Sequence, residues 1–167
     1  AVEIVRSAPR TGGYNYLFAD AQANQAVAIE TTHRYAAVFW DGQSSESPHH
    51  LFVPNAVFRA DMAFDPQIRD LQLASRGDPK KPGLESPQGS SSYEIRYLQQ
   101  GQLLLRHLGE IDPEIAMSVA RTIAPPSNLH SVVYAYPQMW VANADGKNPA
   151  ATRVYHPFDV AELFRSS

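Results

Sequence analysis

The chain has 167 residues, with 14 basic and 17 acidic side chains, no cysteine and a formal charge of −3. Such a mild charge argues against nucleic acid or an anionic membrane as the partner, and the lack of cysteine excludes disulfides and a cysteine nucleophile within the chain. No apolar run reaches the ~20 residues that span a bilayer, so we expect a globular chain: a single domain over residues 1–167, or the C-terminal portion of a larger one.

The N-terminal part of the chain predicts three strands. Residues 14–20 and 26–32 are rich in aromatic and β-branched side chains, and a short polar stretch separates them. Residues 35–40 continue the pattern, which favours an antiparallel meander. Gly12 and Gly13 precede the first strand and allow a close backbone approach, although two glycines are too few for a loop that cradles phosphate.

The middle of the chain predicts an irregular stretch followed by a helix. The apolar segment 51–59 is predicted to be extended, with a bend or a sheet edge at Pro54. Asp65 and Pro66 then indicate a helix start, because Asp caps the free N–H groups of the first turn and Pro suits the first helical position. Residues 76–92 are rich in Gly, Pro and Ser and predict a long loop.

The C-terminal part predicts two longer helices and then mostly strands. One helix begins near Ser92, and a second begins at Asp112-Pro113 and stops before Pro125-Pro126. Two strands, an extended stretch and a short last helix follow at 130–136, 138–144, 151–158 and 159–165. The fold class is therefore α+β, with antiparallel sheets at both ends of the chain and helices between them.

Few residues carry an obvious chemistry. The histidines show no metal-ligand spacing, so no metal ligands are assigned and no cofactor is implied. Ser91 or Ser92 is interpreted as a helix cap, since no nucleophile-elbow pattern surrounds these serines. Arg96 either extends into solvent or clamps a carboxylate, and Asp61 is either a turn residue or a functional group at a strand–helix junction.

Four segments, in order, resemble one family. They are 12–32 (GGYNYLFADAQANQAVAIETT), 55–66 (NAVFRADMAFDP), 91–97 (SSYEIRY) and 129–150, which contains Trp-Val-Ala-Asn. They are similar to the paired strands, the Thr-Asn-His stretch, the Ser-Ser-x-x-x-Arg-Tyr helix start and the closing strand pair of the acyl-coenzyme A:6-aminopenicillanic acid acyltransferase-like family of N-terminal-nucleophile hydrolases. The resemblance implies an αββα sandwich of antiparallel sheets and helices.

The same resemblance implies a reaction. Members of this family cut their own precursor, and the new N-terminal cysteine attacks an amide or thioester carbonyl with its own α-amine as the base. Matched residue by residue, Arg96 would position the nucleophile or a substrate carboxylate, and Ser92 and Tyr97 would bind substrate. Asp61 falls where the family has the Asn that donates to the oxyanion, and Met62 falls where it has His.

These departures limit what the chain is expected to do. An ionised Asp61 accepts hydrogen bonds and donates none, so it would repel the developing negative charge. Either a different group supplies the donor, or Asp61 is protonated, or the family's chemistry is altered in this chain. The nucleophile is expected on an upstream segment or a separate chain, because this chain has no cysteine and begins with Ala1. We therefore expect the isolated chain to be catalytically inactive.

Three hypotheses follow. In the first, the chain is part of an amide hydrolase or acyltransferase that acts on a small acylated substrate and hides an exposed apolar face against the upstream segment or in a homodimer. In the second, it is a non-catalytic scaffold that binds an acylated ligand or a protein partner. The third is a binding domain of unrelated fold. Neither nucleic acid nor a membrane is expected as a partner, and the compartment stays open.

Overall fold

A computed structural model describes residues 1–43, 51–75 and 92–165. Over these residues the chain is α+β, with five α-helices and two three-stranded antiparallel sheets, in agreement with the predicted class. The chain divides into two compact units, Ala1–Gln102 and Leu103–Ser167. The loop predicted at 76–92 lies outside the described residues, except for Ser92.

The first unit is built on an antiparallel meander. Its elements are α1, β1, β2, β3, α2 and most of α3, at Val2–Ser7, Asn15–Asp20, Gln25–Thr31, Ala36–Trp40, Pro66–Ser75 and Ser92–Arg106. The strand order is β1-β2-β3, with Leu17 opposite Ala28 and Ala28 opposite Phe39, which confirms the predicted meander. No sequence signal predicts α1, because it is only six residues long and has no side-chain cap.

The core of this unit lies on the central strand. β2 is buried on both faces from Val27 to Thr31, so its side chains form a nearly continuous apolar run rather than an alternating one. Residues of β2 and β3 form an apolar cluster with two residues from later in the chain. The cluster consists of Ala28, Ala37, Phe39, Ala63 and Ile68. α1 packs against β3. Burial of each large side chain contributes about 1.5–3 kcal/mol.

The segment 51–59 bends at Pro54, one of the two alternatives predicted for it. A turn at Pro54 and Asn55 makes the bend, and the segment joins neither sheet. Asn55 adopts a positive φ of 56°, a conformation that Asn tolerates better than most residues. After the turn Phe58 is buried, so the apolar character of the segment serves packing and not strand pairing.

Two of the three predicted helix caps are present. The third was predicted at Ser91 or Ser92, but α3 begins at Ser92, so its cap position is residue 91, which lies outside the described residues. The Asp65 carboxylate accepts a hydrogen bond from Ile68 N at 3.0 Å, and α2 begins at Pro66. In the second unit Asp112 accepts from Ile115 N at 2.8 Å and α4 begins at the following proline. These bonds satisfy N–H groups that have no partner within their helix.

The second unit contains the end of α3, a second sheet and two further helices. Its elements are α4, β4, β5, a 3-10 turn, β6 and α5, at Pro113–Ile123, His130–Ala135, Gln138–Asn143, Ala150–Thr152, His156–Asp159 and Val160–Arg165. The strand order is β4-β5-β6, with both pairs antiparallel. The stretch 151–158, predicted to be extended, instead begins in the 3-10 turn and becomes a strand only at His156.

The two faces of this second sheet differ. One face packs against α4 and the 3-10 turn, and there Ser131 Oγ and Tyr155 Oη form a buried hydrogen bond of 2.6 Å. The other face, which we call the Tyr134 face, carries Val132, Tyr134, Met139, Val141, His156 and Phe158. Val132, Tyr134 and Phe158 are 53%, 59% and 44% exposed, so the Tyr134 face presents large apolar side chains to solvent.

Candidate functional site

The candidate site is the irregular segment of residues 60–65, which connects the 51–59 stretch to α2. The first side chain that holds it is Asn15, at the start of β1. Asn15 Nδ2 donates to the main-chain oxygen of Ala60 at 2.6 Å and to that of Met62 at 3.3 Å. A single carboxamide therefore holds the two carbonyl groups that flank Asp61 in the sequence.

The second side chain is the buried carboxylate of Glu30, near the end of β2. It accepts hydrogen bonds from Phe64 N at 2.7 Å, from Asp65 N at 2.8 Å and from Arg59 Nε at 2.7 Å. Burial raises the pKa of Glu30 above its ordinary value, although the Arg59 charge and the two main-chain N–H donors act in the opposite direction. The Arg59 guanidinium also lies 4.7 Å from the centre of the Phe39 ring.

The third side chain is Gln72, on α2. Its Nε2 donates to the main-chain oxygen of Asp61 at 2.8 Å, and its Oε1 accepts from Ala63 N at 3.0 Å. Both ends of one carboxamide are thus used on main-chain groups two residues apart. The α2 helix, which is itself capped by Asp65, thereby holds the segment that precedes it.

Together these contacts reach every residue of the 60–65 segment. Each of the six residues has a main-chain N–H or C=O bonded to a side chain from β1, β2 or α2. An irregular segment has no ladder to satisfy its polar groups, so side chains take over that task. The segment therefore has a defined conformation, as a site that must hold a functional group in place requires.

The side chain that this segment presents is the carboxylate of Asp61. Arg96 Nη2, from the first turns of α3, donates to Asp61 Oδ2 and forms an ion pair with it. The two side chains are exposed to different extents, Asp61 at 60% and Arg96 at 19%. The structure thus brings together two of the predicted site residues, which are 35 positions apart in the sequence.

The ion pair is a weak contribution to stability. Pairs with this degree of exposure contribute about 0–1 kcal/mol, because solvent screens them and two side chains lose freedom. The pair places a carboxylate and a guanidinium side by side, with the carboxylate largely exposed. Charged groups of these two kinds form strong hydrogen bonds with ionic partners.

The other two predicted site residues are Tyr97 and Ser92, both on α3. Tyr97 is fully buried, and its ring packs between those of Phe58 and Phe64 at centroid distances of 4.7 and 4.2 Å. Its hydroxyl accepts a hydrogen bond from Leu51 N at 3.2 Å. Ser92 is the first residue of α3, and its side chain lies outside the described residues.

Met62 occupies the position where the resemblance expects His. Its side chain is buried, with 2% exposed. A thioether has no proton to transfer and is only a weak acceptor, so Met62 supports packing and not acid–base chemistry. Next to the Asp61–Arg96 pair, the site therefore holds charge and hydrogen-bonding capacity but no imidazole at this position.

Comparison of the chain with protein-family models, with curated proteins and with solved structures finds no match. Over the residues that the structure describes, no group of three His, Asp or Glu side chains is arranged to hold a metal ion. Among the described helices, none is long and apolar enough to cross a membrane. The geometry of the 60–65 segment is therefore the main guide to function.

Sequence reasoning missed the residues that build the site. Glu30 had a signal, since a carboxylate within the apolar run AVAIETT must find a partner once the strand is buried. Its partner Arg59 is 29 positions away, and no spacing rule connects them. Asn15 lies in the first segment that resembles the family, as the Asn of a Gly-x-Asn-x-x-x-Ala-Asp stretch, but it was not assigned to the site. Gln72 had no signal, because its main-chain partners follow from the fold.

Proposed function

We propose that the chain is the C-terminal portion of an amide hydrolase or acyltransferase that acts on C–N amide or thioester bonds. Its nucleophile would be the N-terminal residue of a segment or chain not included here. The fold proposed with this function is part of an αββα sandwich. The observation that carries the proposal is the supported 60–65 segment, which presents Asp61 to Arg96 where the resemblance expects the acyl-binding machinery.

The ion pair suggests how the two residues share their roles. An Asp61 carboxylate cannot donate to an oxyanion, and alone it would oppose the negative charge that develops on the acyl oxygen. Paired with Arg96, its charge is offset, and it orients a guanidinium that has five N–H donors. Arg96 is then the donor toward the acyl oxygen or a substrate carboxylate, and Asp61 sets its position.

The reaction would follow the chemistry of N-terminal nucleophiles. A side-chain nucleophile attacks the acyl carbonyl while its own α-amine, with an ordinary pKa of about 7.7–8.0, takes the proton. The tetrahedral intermediate collapses and the amine or thiol leaves with the returned proton. Water or an acceptor amine then attacks the acyl-enzyme and releases the nucleophile.

The proposal is tested with protein expressed from the complete gene. Intact-mass and N-terminal analysis should find a cut that exposes Cys, Ser or Thr upstream of Ala1. The processed protein should release p-nitroaniline from acyl p-nitroanilides of two to ten carbons, or thiol from the corresponding acyl-coenzyme A thioesters. An uncut chain that turns over neither series would contradict the proposal.

A substitution tests the role of Arg96 directly. In the processed protein, Arg96→Ala should reduce kcat/KM by about 100-fold or more, as the loss of a charged transition-state donor does. Its thermal unfolding should change little, because the pair is partly exposed. The matched control is Arg106→Ala, which removes an exposed arginine from the same helix. Equal turnover in both variants would remove Arg96 from the site.

A non-catalytic scaffold is the second candidate. Two observations favour it: an acid occupies the position of the oxyanion donor, and a buried methionine occupies that of the histidine. In that case the complete protein stays uncut, and the Asp61–Arg96 pair serves to bind an acylated ligand. Isothermal titration with an acyl-coenzyme A or an N-acyl amino acid then gives binding without turnover, and Arg96→Ala weakens it.

A further inference from the structure

The two carboxamides of Asn15 and Gln72 bracket Asp61. Asn15 holds the carbonyl groups of the residues before and after it, while Gln72 holds the Asp61 carbonyl itself and Ala63 N. Both side chains are only partly buried, so water could satisfy them in other orientations. The two side chains come from separate elements, β1 and α2, and both bond the same main-chain stretch. We therefore interpret these hydrogen bonds as holding that stretch in its conformation.

We propose that Asn15 and Gln72 are positioning residues of the site, which orient the peptide groups around Asp61 so that its carboxylate meets the Arg96 guanidinium. The effect on turnover that we expect rests on the proposed function. The effect on the orientation of Arg96 rests only on the hydrogen bonds described above. Neither side chain contacts the acyl group in this proposal. Each acts through Asp61, and Asp61 in turn acts through Arg96.

The physical reason lies in the freedom of an irregular backbone. Without ladder hydrogen bonds, each residue of the 60–65 segment can rotate about two soft dihedral angles, and a peptide rotation at Asp61 swings its Cβ and its carboxylate. Three consecutive carbonyl groups, those of Ala60, Asp61 and Met62, are fixed by donors from Asn15 and Gln72. Together they fix the direction of the Asp61 Cα–Cβ bond, and from there the carboxylate reaches the Arg96 guanidinium.

Acid-for-amide substitutions isolate the donor that matters. Gln72→Glu keeps the shape and the oxygen that accepts from Ala63 N, but it cannot donate to the Asp61 carbonyl when ionised. Asn15→Asp likewise loses its donor to Ala60 and Met62. The matched control is Gln67→Glu, the same change at an exposed position on the same helix.

In the processed full-length protein, Gln72→Glu and Asn15→Asp should lower kcat by about 10- to 100-fold, the scale of a 1 Å misplacement, with KM within about 2-fold. Gln67→Glu should leave both constants unchanged. A purely structural role would lower the folded fraction and would not separate kcat from KM.

A second readout does not need turnover. The rotation of the Arg96 guanidinium about its Nε–Cζ bond, measured by 15N NMR, should be slow in the wild type because Asp61 holds it. It should become several-fold faster in Gln72→Glu and Asn15→Asp, but not in Gln67→Glu. If wild type shows this slow rotation but no turnover, the proposed function fails and the positioning role stands. Unchanged rotation and unchanged kcat in both variants would overturn the positioning role.

Discussion

At the scale of single residues, the buried pair of Glu30 and Arg59 has the largest energetic consequences. Both side chains are almost fully removed from solvent, at 0% and 2% exposed, so each charge depends on the other. Breaking such a pair by removing one partner is usually destabilising by about 3–5 kcal/mol, because the remaining charge stays buried. The pair also determines where the main chain of Phe64 and Asp65 lies.

We therefore expect Arg59→Met to reduce the free energy of unfolding by about 3–5 kcal/mol, as measured by urea denaturation near pH 7, because the Glu30 carboxylate stays buried without its cation. The double variant Arg59→Met with Glu30→Gln should recover part of this loss, since no buried charge remains. Arg106→Met, at an exposed position, serves as the control and should change stability by less than about 0.5 kcal/mol. A double variant less stable than Arg59→Met would contradict this account.

The pH dependence of stability follows from the same carboxyl group. Its pKa in the folded chain lies above the ordinary value of 4.5, chiefly because of burial. The folded state then binds this proton more tightly than the unfolded state does. The contribution of Glu30 to the free energy of unfolding is fully present below about pH 4.5 and declines as the pH rises toward the folded pKa. The difference between wild type and Glu30→Gln, followed by thermal unfolding from pH 4 to 8, should therefore vary with pH.

At the scale of elements, the sequence predicts what depends on neighbours along the chain. The starts of α2 and α4 follow from Asp-Pro caps, and the β1–β3 meander follows from β-branched runs between polar turns. The 60–65 segment could not be predicted in the same way, because its conformation depends on Asn15, Glu30 and Gln72, each distant in sequence. Likewise, Asp61 and Arg96 were separate candidates, and only the fold makes them a pair.

A close backbone approach predicted from sequence offers a test at this scale. A Cβ added at Gly13 would lie 2.5 Å from the carbonyl oxygen of Thr31, whereas at Gly12 the nearest atom would lie 3.7 Å away. Gly13→Ala should therefore lower the unfolding free energy by about 1–3 kcal/mol, as overpacking does. Gly12→Ala, the matched control, should change it by less than about 1 kcal/mol. Similar urea midpoints for the two variants would contradict the close approach.

At the scale of the whole molecule, the Tyr134 face departs from an ordinary surface. Single exposed apolar side chains are common, but here Val132, Tyr134 and Phe158 are exposed together on one sheet face. An exposed apolar face is what the fragment hypothesis predicted. It remains a prediction that this face is covered by an upstream segment, by a second copy of the chain or by another partner.

Substitution on this face should change surface behaviour without changing the fold. The double variant Tyr134→Lys with Phe158→Lys should lower the binding of a hydrophobic fluorescent dye, while its melting temperature stays within a few degrees, because both side chains are already exposed. The control is Leu17→Lys, an exposed apolar residue on the first sheet. Undiminished dye binding in the double variant would show that this face is not the apolar surface that the dye detects.

Glu30 also has a consequence for how the first sheet assembles. A one-residue slip of β2 would exchange the faces on which Ile29 and Glu30 lie. The carboxylate would then lose Arg59 and both main-chain donors, and it would enter an apolar environment at a penalty of several kcal/mol. A strand composed of Ala, Val and Ile alone would tolerate several alignments almost equally. One charge near the end of the strand therefore favours the observed alignment over a slipped one, and it disfavours mispaired sheets as the chain folds.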